Sequence, residues 1–446
     1  MKSPQKISES PFSKWAVFLE RVFPDPFTLA LVLSFVTIAL AKFWTPHGLT
    51  ELVNIWGAGL WNFLKFAMQM ALILVTGQAL AESPPISRIL GRLAALPKTM
   101  SQGVWVVCFW AMICAWLNWG FGLVVGALLA RRVSDSLALS LGEERVSRGL
   151  LGAAGYTGLA FWHGGLSGSA PLAVAQADHA LSDTIGIVPL SLTVMSTQNL
   201  VLSASLLILV PIFLAGLDRF GLVVYGEEIE ADVRPIVDVK PNMREMCLVA
   251  AVSLLALFWW VQLRPGLDLN TVMFLFLFIG LAAHGSARSY SAAVDRAIRG
   301  VSGIVLQFPF YAGIAAVAAQ SGLVTLISEQ FVSASQAVQN SLGFQPFFLF
   351  VFLSAGLANL FVPSGGGQWV IQGPIVLEAA EKLGLSSDSA IMAIAYGDQW
   401  TNLLQPFWAL PVLAITGLKP AQLLSVTTLL LVWMGFWVSL ALLTMF

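Results

Sequence analysis

Long apolar runs are the feature that most constrains this chain. The runs 26–43, 246–263 and 423–446 are each close to the roughly 20 residues that a helix needs to cross about 30 Å of hydrocarbon. Only 11% of the residues are charged, whereas a soluble globular protein carries roughly a quarter. The sequence therefore predicts an all-α polytopic membrane protein. It excludes a soluble enzyme, a nucleic-acid binder and a disulfide-stapled secreted domain.

The apolar runs predict nine full crossings and two hairpins. The crossings are predicted at 26–44, 59–80, 149–176, 192–217, 246–263, 269–285, 302–322, 389–414 and 421–445. Two further apolar stretches, 103–130 and 346–378, are interrupted halfway by glycine clusters at 118–122 and 363–367. Each half then has only about a dozen residues, too few to span the bilayer. We therefore expect two re-entrant hairpins, each entering and leaving on one side.

Basic residues orient this topology. With the N-terminus cytoplasmic and the C-terminus periplasmic, the predicted cytoplasmic segments contain nineteen lysines and arginines, and the outer segments contain three. Such a bias follows the positive-inside rule. A multi-pass protein of the bacterial inner membrane is the expected location.

The two halves of the chain resemble each other at an offset of about 240 residues. Phe66 corresponds to Phe308, Gly120 to Gly365, and Pro171 to Pro406. We predict a first inverted repeat over 1–217, a cytoplasmic linker over 218–245, an extra crossing over 246–263, and a second inverted repeat over 264–446. The extra crossing inverts the second half. Inverted repeats with interrupted helices are typical of secondary transporters, with the binding site near the midplane.

The hairpin tips are the candidate substrate site. A half-helix that begins inside the membrane presents free N–H groups and a partial positive charge, which suit a carboxylate. The predicted substrate-binding residues are Asn118, Trp119, Gly120 and Gly122 at the first tip, and Ser364, Gly365, Gly366, Gly367, Gln368 and Trp369 at the second. Alternatively, the glycines only let helices approach closely.

Two further breaks, at 162–169 and 397–402, are the candidate cation-coupling site. Asp398 is the one acid predicted at mid-membrane, where ionisable residues usually mark an ion or proton path. His163 corresponds to Asp398 at an offset of 235. The predicted coupling residues are Asp398, Thr401, Asn402, His163, Ser167 and Ser169, acting on a proton or on Na⁺; no cofactor is expected, and the metal question stays open. The alternative for Asp398 is a carboxylate bonded to N–H groups at a helix end, and the alternative for His163 is a structural role.

Four segments closely resemble the AtoE family of bacterial short-chain fatty acid transporters: 56–64, 118–127, 362–374 and 395–400. The resemblance implies an inner-membrane carrier for monocarboxylates such as butyrate and acetoacetate, within the ion transporter superfamily. It further implies a homodimer in lipid, with scaffold and transport domains, opposed hairpins and an elevator motion. His163 departs from the family, whose first break is a plainer glycine run. Superfamily relatives use either Na⁺ or protons.

Three other functions are alternatives. Two are a carrier of other carboxylates and an ion-only exchanger; the absence of arginine and lysine from the tips favours monocarboxylates over both. Gly165-Leu166-Ser167-Gly168 has the form of an intramembrane serine protease motif, with His284 as the base. We expect these two side chains to be out of reach of each other, because His284 ends a helix on the cytoplasmic side.

Overall fold

A computed structural model describes residues 25–176, 179, 181–227, 243–263 and 269–446. All regular elements within these ranges are helices. The α-helices are α1 Pro26–Trp44, α2 Leu49–Gly59, α3 Leu64–Glu82, α4 Pro84–Ala94, α5 Met100–Leu117, α6 Trp119–Leu141, α7 Arg148–Tyr156, α8 Ser169–Val174, α9 Ser182–Ile185, α10 Thr197–Arg219, α11 Met243–Leu263, α12 Leu269–His284, α13 Ala287–Ala297, α14 Ser302–Gln320, α15 Leu323–Leu342, α16 Phe347–Asn359, α17 Gly365–Lys382, α18 Ser387–Thr401, α19 Pro406–Thr416 and α20 Pro420–Thr444.

Seven helical stretches in the described part of the chain are long and apolar enough to cross a membrane. Six of them coincide with predicted crossings: α1, α3, α10, α11, α20, and the stretch that ends in α14. The predicted crossings at 149–176 and 389–414 are each divided into shorter pieces, and the crossing at 269–285 is the 16-residue helix α12. The multi-pass character is confirmed, while the nine-crossing topology and the repeat boundaries stay predictions.

The first hairpin differs from its prediction. Helices α5 and α6 have 18 and 23 residues, so the expectation that both halves are too short to span is wrong. The Thr99 side chain accepts the N–H of Gln102 and caps α5 ahead of the apolar run, and α6 continues past the run to Leu141. Caps therefore set these ends, not hydropathy. The second hairpin has helices of 13 and 18 residues, α16 and α17. Whether either hairpin is re-entrant stays a prediction.

Both predicted helix breaks are present, at shifted positions. The first is longer than 162–169: α7 ends at Tyr156, and short 3₁₀ turns lead to α8 at Ser169. The second lies after Asp398, because α18 continues to Thr401 and a 3₁₀ turn at Asn402–Leu404 precedes α19. Asp398 is therefore in the last turn of a helix, with the break directly beyond it.

The helices pack in two groups. The first group contains α1, α2, α3 and α11 to α14, and the second contains α5 to α8, α10 and α16 to α20. Within the second group, α6 and α7 cross so closely that a Cβ on Gly126 would lie 2.1 Å from the Gly155 carbonyl oxygen. Contacts of α6 with α3 and of α19 with α14 join the two groups. The broken helices all belong to the second group, so the two breaks lie within one packed unit.

The linker between the halves is described only up to residue 227, where Glu227 is buried against the start of α7. Its Oε2 accepts the Gly149 N–H at 2.6 Å, and the neighbouring Arg148 pairs with Asp135 and Glu143 at 2.7 Å each. Burial raises the pKa of Glu227 to about 7, although the N–H bonds from Gly149 and Arg148 and the Arg148 charge oppose the shift. The carboxyl group therefore caps a helix that leads directly to the first break.

This pKa predicts a pH-dependent stability. Because the folded-state pKa of Glu227 is raised from 4.5 to about 7, its contribution is fully present below pH 4.5 and is lost as the pH rises through about 7. We expect the melting temperature of the purified protein to fall between about pH 5 and about pH 8, and Glu227→Gln to flatten that fall. Glu144→Gln, at an exposed acid near the same helix start, is the control. Parallel pH profiles for wild type and Glu227→Gln would contradict the prediction.

Candidate functional site

The two breaks meet at a buried histidine–aspartate pair. His163 Nε2 lies 2.9 Å from Asp398 Oδ1, and the two side chains are 1% and 3% exposed. The His163 backbone N–H donates to Gln399 Oε1 at 3.0 Å. Residues that correspond at an offset of 235 therefore touch each other directly. The structural alternative for His163 does not by itself account for a carboxylate partner inside an apolar interior.

Backbone geometry assigns the histidine tautomer. The Ser169 N–H lies 3.2 Å from His163 Nδ1 and can only donate, so Nδ1 is the acceptor. The ring proton is then on Nε2 and points at Asp398. Asp398 Oδ2 is buried without a hydrogen-bond partner among the described residues. The pair therefore leaves one oxygen of the Asp398 carboxyl group open for a proton or a cation.

The second hairpin tip touches this pair. A Cβ on Gly365 would lie 2.5 Å from His163 Cε1 and 2.8 Å from Ser169 Oγ, so only glycine lets α17 begin here. Ser364 caps this helix by accepting the Gly367 N–H at 3.3 Å. Gly366 and Gly367 are exposed, and the first N–H groups of a helix have no partner within it. Because Ser364 accepts the Gly367 N–H, the N–H groups of Gly365 and Gly366 are the ones left without a helix partner at the tip beside the pair.

The first hairpin tip contacts the same break from its other end. The Trp119 N–H donates to Ser167 Oγ at 3.0 Å, and the Leu166 N–H donates to the Trp116 carbonyl oxygen at 2.7 Å. Asn118 uses its Oδ1 to cap α6, accepting from Gly120 at 3.0 Å. Ser167 therefore joins the break to the first hairpin tip. Ser169 donates to the histidine ring and lies against the second tip at Gly365.

The first-tip glycines are surrounded by apolar atoms. A Cβ on Gly120 would lie 2.2 Å from Ile73 Cδ1, and one on Gly122 would lie 2.3 Å from the Ala115 side chain. Close helix contact accounts for both glycines. Their role in substrate binding stays a prediction.

Two residues predicted at the second tip are directed into the protein. Gln368 is buried and donates from Nε2 to the Ala355 carbonyl oxygen at 2.8 Å and to Gln372 Oε1 at 2.9 Å. Trp369 is also buried and lies against Gly373 of its own helix. Gln368 therefore fixes α17 to α16, and Trp369 packs within α17. The predicted contact of both residues with substrate is untested.

Asn359 organises the second break and was not found by sequence reasoning. Its Nδ2 lies 2.8 Å from the Asp398 carbonyl oxygen, 3.0 Å from Thr401 Oγ1 and 2.9 Å from Asn402 Oδ1. Gln405 donates to the Asn359 carbonyl oxygen. Thr401 and Asn402 therefore lie next to Asp398, as predicted for a coupling site, but they are held by an asparagine from the facing helix.

Asn199 and Tyr396 support the first break, and both were also missed. Asn199 Nδ2 donates to the Gly164 carbonyl oxygen at 2.9 Å, and Tyr396 donates to Asn199 Oδ1 at 2.8 Å. Tyr156 donates to the Asn402 carbonyl oxygen at 2.7 Å and so joins the two breaks. A lone polar residue on an apolar helix is the one signal that could have indicated each of them.

An aromatic cluster lies between the two helix groups beside Trp162. Phe66 and Phe308 come from the first group, and Trp119, Phe407 and Trp408 come from the second. Ring centroids are 5.9 Å apart for Trp119–Trp162, 5.2 Å for Trp119–Trp408 and 4.2 Å for Phe308–Phe407. Trp400 lies outside this cluster, because it packs against Phe352 and donates to the Leu431 carbonyl oxygen at 2.7 Å.

The protease interpretation is wrong. Ser167 accepts the Trp119 N–H, whereas His284 bonds to the Ala79 carbonyl oxygen and to Ser289. Within the described ranges, no three or more His, Cys, Asp or Glu side chains are grouped so that they could hold a metal ion. The site is a set of helix ends around one ionisable pair.

A multi-pass helical protein whose broken helices enclose an ionisable pair belongs to the class of membrane transporters by its site. Comparison with known proteins gives the family. Residues 10–219 and 238–445 match the family model described as short chain fatty acid transporter. The chain belongs to this family, and its members are transporters, not enzymes.

Two relatives carry the provisional name short-chain fatty acid transporter. One, from Escherichia coli (strain K12), is 37% identical, with 90% of this chain and 91% of the relative covered. The other, from Haemophilus influenzae (strain ATCC 51907 / DSM 11121 / KW20 / Rd), is 39% identical, with coverage of 90% and 92%.

Two solved structures are similar more distantly. The MtrF protein of Neisseria gonorrhoeae is 16% identical, with 97% of both chains covered and a TM-score of 0.45. The YdaH transporter of Alcanivorax borkumensis is 18% identical, with 93% of this chain and 99% of that chain covered and a TM-score of 0.38.

The contact of Gly365 with His163 is directly testable. Gly365→Ala adds a Cβ where the His163 ring and Ser169 Oγ leave no room, so we expect a lower melting temperature of the purified protein. Gly366→Ala is the matched control, because a Cβ there meets nothing within 4 Å. Equal melting temperatures for the two variants would show that the tip does not depend on this contact.

Proposed function

We propose that this protein carries short-chain monocarboxylates such as butyrate and acetoacetate across the bacterial inner membrane in symport with a cation. The family supports transport of short-chain fatty acids. The observation that supports cation coupling is the buried His163–Asp398 pair with its open Oδ2. A proton is the favoured cation, and Na⁺ is the alternative.

The substrate carboxylate binds at the second tip. The N–H groups at the start of α17 and the partial positive charge of the helix end stabilise the anion. The hydrocarbon tail lies towards Trp119 and Trp162, whose rings are 5.9 Å apart. No cationic side chain is required for a single charge, which agrees with the absence of lysine and arginine from both tip sequences.

Coupling follows from charge repulsion. The tip is in contact with His163, so a bound carboxylate is close to the Asp398 carboxylate. Two unit negative charges about 5 Å apart repel by roughly 3 kcal/mol at an effective dielectric constant of about 20. That energy corresponds to about a hundredfold in affinity. A proton or Na⁺ at Asp398 removes the repulsion, so cation and anion bind together.

Alternating access completes the cycle. The second helix group carries the hairpin tips and both breaks, so it moves as the transport domain against the first group in an elevator motion. The protein works as a homodimer in the lipid bilayer, with its N-terminus in the cytoplasm. Transport of substrate then requires the His163–Asp398 pair to bind or release its cation on one side of the membrane at a time.

Asp398→Asn tests the coupling. Asparagine keeps an acceptor for His163 but removes the charge, so cation and anion binding become independent. We expect purified Asp398→Asn protein in proteoliposomes to lose concentrative uptake of labelled butyrate while it retains butyrate exchange. Asp388→Asn, at an acid in the first turn of the same helix, is the control and should retain both activities.

The driving gradient distinguishes the two cations. Concentrative uptake under an imposed proton gradient, lost in Asp398→Asn, supports proton symport. Uptake that follows a Na⁺ gradient instead makes Asp398 a Na⁺ ligand. Concentrative uptake that survives in Asp398→Asn would refute the role of the pair. Absence of butyrate uptake under both gradients would refute the substrate assignment and favour other carboxylates.

A further inference from the structure

A large cavity opens between the two helix groups, away from the breaks. Its volume is about 1100 Å³, and its walls come from the end of α3, the middle of α6, the start of α14, the second half of α19 and the segments next to them. Five basic side chains line it, together with only two acidic ones, Glu82 and Asp135. The basic residues are Arg131, Arg132, Arg296, Arg299 and Lys419. We name this cavity the basic vestibule.

The two acids do not balance this charge. Glu82 Oε2 pairs with Arg296 at 2.6 Å, and Asp135 pairs with Arg148, which lies outside the vestibule wall, at 2.7 Å. Arg131 and Arg132 instead donate to uncharged oxygen atoms, Arg131 to the Ile415 carbonyl at 2.9 Å and Arg132 to Ser87 at 3.1 Å. A concave site with surplus positive charge concentrates anions.

Four helices that line the vestibule also carry the aromatic cluster. α3 provides Phe66, α6 provides Trp119, α14 provides Phe308, and α19 provides Phe407 and Trp408. Gln307, beside the wall residue Gly303, has a buried Oε1 without a partner among the described residues. The cluster thus lies on helices that also line the vestibule, and Trp162 connects it to the neighbouring His163.

We propose that the basic vestibule is a second carboxylate-binding site, at the cytoplasmic mouth of the pathway, where Arg131 and Lys419 bind the short-chain anion before or after it passes the aromatic cluster. The proposal rests on the proposed function for its ligand, and on the positive-inside bias for its side. Its chemistry is that of charge attraction alone, so it holds the anion weakly. It sets affinity from one side of the membrane without affecting the other.

A side-specific transport measurement tests this asymmetry. We compare Arg131→Gln/Lys419→Gln with wild type in proteoliposomes of known orientation, with labelled butyrate on either side. The expected result is a KM about fivefold higher for cytoplasmic butyrate and an unchanged KM for external butyrate, with the wild-type cytoplasmic KM rising with ionic strength. Arg92→Gln, an exposed charge outside the vestibule, should change neither value. Equal changes on both sides, or none, would overturn the proposal.

A labelling measurement tests the vestibule independently of transport. Ser302 lines the cavity and is exposed. We introduce Ser302→Cys and remove the native thiol at position 247 with Cys247→Ser. The rates at which the introduced cysteine reacts with anionic and cationic methanethiosulfonates then report the local potential. We expect the ratio of the anionic to the cationic reaction rate to be several-fold higher than in the same protein carrying Lys419→Gln. We also expect butyrate to slow the reaction more than chloride does.

The two measurements separate the possible failures. One outcome is fast anionic labelling that butyrate slows, in a protein that does not transport butyrate. This outcome would refute the proposed function but support the carboxylate site. Fast anionic labelling that butyrate and chloride slow equally would show a site for small anions in general and overturn the assignment to carboxylates. Equal rates for the two reagents would overturn the vestibule itself, even where transport is normal. Lys419→Gln alone, at an exposed residue, keeps the test valid if the Arg131 substitution prevents folding.

Discussion

The hydrogen bond between His163 Nε2 and Asp398 Oδ1 joins a turn of the first break to the last turn of α18 inside the apolar interior, and the rest of the site is arranged around it. Backbone that leaves the helix at that depth has N–H and C=O groups without helix partners, each costing several kcal/mol if unpaired. Here side chains from facing helices satisfy many of them: Asn199 bonds to Gly164, and Tyr156 bonds to Asn402. The breaks are therefore held by side-chain hydrogen bonds, and one oxygen of Asp398 is left without a partner among the described residues.

The free-energy cost of a buried charge explains why the site contains so few charged side chains. An ionised side chain in the middle of a membrane costs roughly 2.5–3.5 kcal/mol on insertion scales. In the proposed cycle, a cation that neutralises Asp398 removes that cost and the repulsion of the substrate anion in one step. In the same cycle, arginine and lysine act on the anion only at the vestibule, and backbone N–H groups at the tip bind a single carboxylate without a permanent buried charge.

Hydropathy predicted the helical class and most crossings because a helix in lipid must be apolar over its whole length. It failed for the first hairpin, where α6 continues to Leu141 through polar residues that protein contacts accommodate. Glycine patterns located both breaks, yet Asp398 proved to lie within α18, because helix propensity and glycine spacing do not mark the last turn. The offset of the two halves aligned His163 with Asp398, and their equivalence in a repeat stays a prediction. Their direct contact follows from packing of the two breaks across one interface.

The amino-acid sequence by itself determined the class of fold, the breaks and the residue types that can bind an anion and a cation, since these depend on local composition and on the cost of placing polar groups in lipid. Only the tertiary structure decided which of those residues meet. In the sequence, Asn359 and Tyr396 are no more than lone polar residues on apolar helices, because their partners are tens to hundreds of residues away. The basic vestibule likewise exists only where α3, α6, α14 and α19 converge, because charges that are distant in sequence add their potentials only when the fold brings them to one cavity.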